Sequence, residues 1–139
     1  MQEKLRTEIR SAAKAASEAA LQPLRKRIDD MQNSLQESTA KFVAIEVDDW
    51  INKEVYVNAI VTQMQYLRLI RKIDHPDGYY LNDGLDKLQQ IFRKAINHEH
   101  HPRLDAFVIA EITQFFDIIE KENPIVVARL RELLAELTQ

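Results

Sequence analysis

Residues 104–119 read LDAFVIAEITQFFDII, and eleven of the sixteen are apolar: Leu104, Ala106, Phe107, Val108, Ile109, Ala110, Ile112, Phe115, Phe116, Ile118 and Ile119. At about 100° per residue on a helix, the large side chains sweep an arc of roughly 200°. That is about twice the stripe of a helix covered on one side. The run is long for a strand, and its apolar residues do not alternate. It predicts a helix at the centre of a bundle, with the rest of the chain arranged to cover it. Pro102 is placed to start this helix, because proline is tolerated in a first turn. Asn123-Pro124 ends it, because the residue before a proline is pushed out of the helical region. Glu111 interrupts the arc, flanked within about 40° by Leu104, Phe107, Phe115 and Ile118. Two readings follow: a buried carboxylate that needs a basic partner, with Arg68, Arg71 and Arg93 as candidates, or a bundle thin enough there for Glu111 to reach water at its edge.

Composition agrees with a helical bundle. At 139 residues the natural expectation is one domain, and a chain near this size buries roughly two-thirds of its unfolded surface. There is no cysteine, which excludes disulfides, thiol nucleophiles and thiolate metal sites. Two glycines and four prolines leave few turns, so a few long helices are expected rather than a sheet. A net charge of −3 does not imply strong attraction to nucleic acid or to an anionic membrane. Charges run through the first 20 residues and no segment is long and apolar enough to span a bilayer. A cytoplasmic location is therefore expected.

Working outward to the N-terminus, residues 2–37 carry two heptad seams. Leu5, Ile9, Ala12, Ala16 and Ala19 fall at spacings of 4, 3, 4 and 3. Leu21, Leu24, Ile28, Met31 and Leu35 fall at 3, 4, 3 and 4. Pro23 marks the shift between them and predicts a kink or short break. The first seam lies in SAAKAASEAA, residues 11–20; alanine favours helix strongly but buries little area. Ser38-Thr39 is a candidate boundary between an arm (1–40) and a bundle domain (41–139). A straight arm of about 36 residues would reach roughly 54 Å, well beyond neighbours of 16 to 20 residues. Its overhanging seam needs a cover. A second copy of the chain would supply one, and so would a fold-back at Pro23 that completes the bundle within one chain.

Residues 41–73 are apolar enough for a long helix, through Phe42, Ile45, Val47, Trp50, Ile51, Val57, Ile60, Val61, Met64, Leu67 and Ile70. Asp48-Asp49 is placed to cap a second helix from Trp50, and the β-branched residues of 41–47 make this the one place for a short strand. His75-Pro76-Asp77-Gly78 reads as a turn. Asn82-Asp83-Gly84 is placed to start the next helix, whose stripe is Leu85, Leu88, Phe92 and Ala95 and whose end falls near Asn97 or His98. The last helix starts at Asn123-Pro124 and carries Val126, Leu130, Leu133 and Leu137.

Chemistry is thinly marked. His98-Glu99-His100-His101 is an exposed polar loop by composition; on a continued helix, His98 and His101 would share a face suited to a metal. Tyr79-Tyr80 sits beside a turn. Arg25-Lys26-Arg27 is the densest basic cluster, mixed with Asp29 and Asp30, and it reads first as a solvated face and second as a phosphate contact. Tyr66-Leu67-Arg68 with Arg71-Lys72 is the nearest approach to aromatics interleaved with basic residues. No serine–histidine–aspartate set and no glycine-rich phosphate loop is present. The segment RKAINH pairs Arg93 with His98 four residues between, and it resembles the signature of HEPN-type ribonucleases. That resemblance implies phosphate binding by Arg93 and acid–base work by His98 across a dimer. The small polar residue often found after that arginine is here Lys94.

These readings converge on an all-α fold: a bundle of about four helices with a long, heptad-patterned N-terminal helical arm. The function expected first is a non-enzymatic, self-associating interaction or adaptor module. It would be a homo-oligomer, a dimer by preference, assembled through Leu5, Ile9, Ala12, Ala16, Ala19, Leu24, Ile28, Met31 and Leu35, and would bind a protein partner with no cofactor or metal. The second is a nucleic-acid-binding subunit using Arg25, Lys26, Arg27, Arg68, Arg71 and Lys72. The third is the ribonuclease.

Overall fold

The computed structural model describes residues 2–73 and 79–139, Tyr79 through its backbone. It is all-α. Among the described residues five helices follow in order: α1 (Gln2–Asn52), α2 (Tyr56–Lys72), α3 (Tyr79–Asn97), α4 (Ala106–Ile119) and α5 (Pro124–Leu137). No strand occurs among the described residues. The turn expected at residues 75–78 lies outside them.

The first departure is the length of α1, which runs for 51 residues through Pro23, Ser38-Thr39 and Asp48-Asp49 without interruption. Pro23 removes one N–H, the donor that would reach the carbonyl of Ala19. Both residues are exposed, so water is at hand for that carbonyl, and the alanine-rich turns before it favour helix strongly. The chain therefore does not fold back as a hairpin at Pro23. Residues 41–47 are helical too, and the strand alternative falls.

What ends α1 is a backbone motif rather than an N-cap for the next helix. Val55 N–H donates to the Trp50 carbonyl at 3.0 Å, and Glu54 N–H donates to the Ile51 carbonyl at 3.0 Å. This six-to-one and five-to-two pair is a Schellman closure. Its left-handed position is occupied by Glu54, with φ 60°, where glycine is usual because a Cβ crowds the following carbonyl.

The chain divides into two compact units, Met1–Gln36 and Glu37–Gln139. In the first, residues 2–35 form one helical segment and are all exposed. The second holds the core. There α1 contributes Ala40 and Val47, fully covered, with Trp50 and Ile51 packed at the margin. Lys87 of α3 reaches Asp48 of α1 at 2.8 Å, a surface pair of small weight.

The helix at the centre is α3, not α4. It packs against both α2 and α5, whereas α4 leans chiefly on α5. Leu85, Leu88, Ile91, Phe92 and Ala95 are wholly excluded from solvent. Gly84 lets α2 come close: a Cβ there would lie 2.6 Å from Leu67 Cδ2, itself fully buried. At the same crossing the buried Gln63 amide donates to the Gly84 carbonyl at 2.8 Å. Asn82, Asp83 and Gly84 thus lie inside α3, which begins at Tyr79.

In α4 the wide apolar arc is only half used. Ile112, Phe115, Phe116 and Ile119 face the core, while Phe107 keeps 70% of its exposure and Ile118 50%. The helix starts at Ala106 rather than at Pro102. Its cap is Asp105, whose carboxylate accepts from the Val108 N–H at 2.8 Å, satisfying a donor that has no partner within the helix. Pro124 occupies the first turn of α5 as expected.

The Glu54 position yields a stability test. Glu54→Gly is expected to stabilise the fold by about 0.5–1 kcal/mol, because relief of the left-handed strain exceeds the flexibility glycine adds to the unfolded chain. Glu54→Ala keeps the strain and is expected to gain nothing. Urea unfolding midpoints of the two variants check this; an unchanged or lower midpoint for Glu54→Gly would contradict it.

Candidate interaction surfaces

Unit 1 presents its apolar residues to solvent. Leu5 and Ile9 keep 59% of their exposure each, and Leu21, Leu24, Ile28, Met31 and Leu35 keep 44–65%. Ala12, Ala16 and Ala19 are exposed as well. Because the helix is unbroken, the two seams do not form one surface. Continuing the first seam past Ala19 would need position 23, whereas the second seam starts at Leu21. That two-residue shortfall turns the second seam roughly 160° around the helix. The leucine-rich and alanine-rich seams therefore face nearly opposite sides. Arg25 and Lys26 flank a shallow surface groove with Ala19, Gln22, Pro23 and Asp29, and Arg27 is exposed beside them.

Unit 2 has exposed apolar residues of its own. Phe42 and Ile45 keep 72% and 66% of their exposure. The sequence reading counted them with the residues of the bundle, but their spacing from Leu35 and Ser38 is 3, 4, 3. They continue the heptad positions of the second seam.

A cleft of about 490 Å³ opens between α2 and α4, lined by Arg68, Arg71, Lys72, Glu111, Gln114, Phe115 and Ile118. This geometry corrects the reading of Glu111. It does not lie in the core: its side chain keeps 38% of its exposure, and its Oε2 stands 3.4 Å from Arg68 Nη2. Of the four apolar flanks, Leu104 and Phe115 are buried but Phe107 and Ile118 are exposed, so the carboxylate reaches water at the helix edge. Its basic partner is one of the three expected. Arg71 and Lys72 stand on the same wall, exposed.

The histidine loop is tied to the end of α1. His98 follows α3, its Nε2 3.4 Å from Glu54 Oε2 and its Nδ1 3.0 Å from the His100 carbonyl. Tyr56 meets the imidazole edge-on, with ring centroids 5.2 Å apart. No group of three metal-ligating side chains occurs among the described residues. Arg93 reaches back along α3 to Gln89 at 3.4 Å, so Arg93 and His98 have separate neighbours. Elsewhere, burial raises the Tyr66 phenol above its ordinary value, with further contributions from Asp83 and Tyr80. Among the described residues no helix is long and apolar enough to cross a membrane.

The fold and its surfaces define an all-α helical bundle with a long N-terminal helix. No protein-family model, curated protein or solved structure matches the chain.

The hydrogen bond to the His100 carbonyl, then the Glu54 carboxylate, raise the His98 pKa above its ordinary 6.5. A raised imidazole stabilises the fold when protonated. That contribution is fully present below pH 6.5 and is lost as the pH rises through the higher folded value. In an NMR titration the His98 ring signals are expected to move at a higher pH than those of a model imidazole, and Glu54→Gln is expected to lower that midpoint. A His98 midpoint at or below 6.5, or one insensitive to Glu54→Gln, would refute the assignment.

Proposed function

We propose that the protein is a non-enzymatic, self-associating helical module, paired as a dimer through the second seam of α1. The observation that carries this reading is the exposure of Leu21, Leu24, Ile28, Met31 and Leu35 at heptad spacing on one helical segment. Isolated helices are marginal in water because their stability comes mostly from packing an amphipathic face. A second copy of the same seam supplies that packing, and closed two-fold dimers are the commonest way for a soluble chain to do so. The leucine-rich seam is preferred over the alanine-rich one because it removes more apolar area from water, at about 25 cal/mol per Å². The two seams diverge in direction, so a straight pair of helices buries one of them.

Light scattering on the full chain at tens of micromolar is expected to give twice the monomer mass of 16.2 kDa. Replacing both Leu24 and Ile28 by Glu puts four carboxylates into the paired seam and is expected to return the mass to 16.2 kDa with helicity in unit 2 unchanged. Ala16→Glu, on the other side of the helix, is expected to leave the dimer intact. A monomeric full chain would overturn the proposal, and so would a dimer that survives the double replacement.

A further inference from the structure

Residues 37–52, the part of α1 that belongs to unit 2, have two sides. Ala40 and Val47 are buried, and Val43, Ala44, Trp50 and Ile51 half-buried; these six fall within an arc of about 120°. Phe42 and Ile45, both largely exposed, centre on a direction roughly 170° away. Exposed Ser38, Lys41 and Glu46 share that outer side. In sequence it continues the seam that starts at Leu21, since Leu35, Ser38, Phe42 and Ile45 keep the spacing of 3, 4 and 3. With Leu21 as an a residue and Leu24 as a d residue, Lys41 is a g residue and Glu46 the e residue five positions on. On their own helix the two are about 140° apart, so they do not pair within one chain.

Two arrangements of two copies cover the whole run from Leu21 to Ile45. In a parallel, in-register pair each seam residue meets its own counterpart, and Lys41 of each copy stands beside Glu46 of the other. In the antiparallel pair Leu21 meets Ile45 of the second copy, which sets Arg27 beside Lys41, Glu18 beside Glu46 and the Ser38 hydroxyl against Ile28. Like charges then meet on both flanks, and a polar group faces an aliphatic one. Sliding the antiparallel pair by one heptad brings Arg25 to Glu46 and Arg27 to Asp48, but it sets Leu24 against Asp49 and Leu21 against Asn52. Covering a leucine outweighs an exposed ion pair, so the parallel pair is favoured over both.

We infer that two copies of α1 pair in parallel and in register, that their interface takes in Phe42 and Ile45 of unit 2, and that Lys41 of each copy meets Glu46 of the other. This rests on the pairing proposed above and adds an orientation and a share of unit 2 to it. Burial of the seam drives the association, while the flanking charges fix its direction. The core-facing side of residues 37–52 is turned away from the second copy, so the bundle gives up no contact.

The chain has no cysteine, so a single one introduced by Ile45→Cys is a clean reporter. Oxidised at a concentration where the unaltered full chain scatters as a dimer, Ile45→Cys is expected to cross-link into a covalent dimer, and Ala16→Cys is not. In either antiparallel pair the two copies of residue 45 lie about 25 Å apart or more, beyond the reach of a disulfide, about 7 Å between Cα atoms. Glu46→Lys is expected to raise the dissociation constant about fivefold, because two exposed pairs turn repulsive. Adding Lys41→Glu to Glu46→Lys is expected to restore it, which neither antiparallel pair allows. If the unaltered chain dimerises but Ile45→Cys does not cross-link, cross-links no better than Ala16→Cys, or the charge swap fails to restore affinity, the inference is overturned and the pairing stands. A monomeric unaltered chain would overturn both.

Discussion

A helix that is apolar along one line has no means of covering that line by itself. This constraint organises the first unit. Its apolar residues are regularly spaced, and every one of residues 2–35 is exposed. Single exposed leucines are ordinary on protein surfaces, but Leu21, Leu24, Ile28, Met31 and Leu35 repeat at 3 and 4 for two full heptads. The unbroken passage through Pro23 sharpens the constraint. It fixes the angular relation between the two seams, and with it the number of seams one straight pairing can cover.

The second unit solves the same problem internally. Its centre, α3, is the most sharply amphipathic of the described helices rather than the most apolar one. What puts it there is contact on two sides: Gly84 lets α2 approach closely, Gln63 closes that approach with a hydrogen bond, and Phe92 and Leu88 are sealed from solvent. A close helix crossing needs a small residue at the contact and a clean apolar stripe on either side. Apolar richness adds surface, and in α4 that surplus remains at the edge of the bundle, beside a basic wall.

Much of this architecture is legible in the sequence. The scarcity of glycine and proline, the 3.6-residue periods, the C-terminal end of α3, the start of α5 and the heptad alternation in residues 21–35 all follow from local physics. What escaped is instructive. Residues 104–119 read as central because a wide apolar arc suggests cover on more than one side, but buried residues are apolar far more reliably than apolar residues are buried. Glu111 inherited that error, since its neighbours Phe107 and Ile118 are themselves wet. The partnership of Glu111 with Arg68 was nameable, because a carboxylate beside an apolar strip wants a cation, whereas the choice among three arginines depends on tertiary packing. The end of α1 was misread because Asp48-Asp49 resembles a cap; Glu54, in a conformation that glycine normally supplies, gave no sequence signal at all. The join of Glu54 to His98 spans 44 residues and belongs to packing alone.

The proposed pairing of α1 through its leucine-rich seam is tested most directly by amide hydrogen exchange on the full chain at two concentrations, one well above and one well below the dissociation constant of the proposed dimer. An interface confined to that seam predicts concentration-dependent protection over residues 21–35, with residues 5–19 exchanging faster and the amides of α3 protected equally at both concentrations. Uniformly fast exchange across residues 2–35 at the higher concentration would contradict it, as would protection that does not change with concentration.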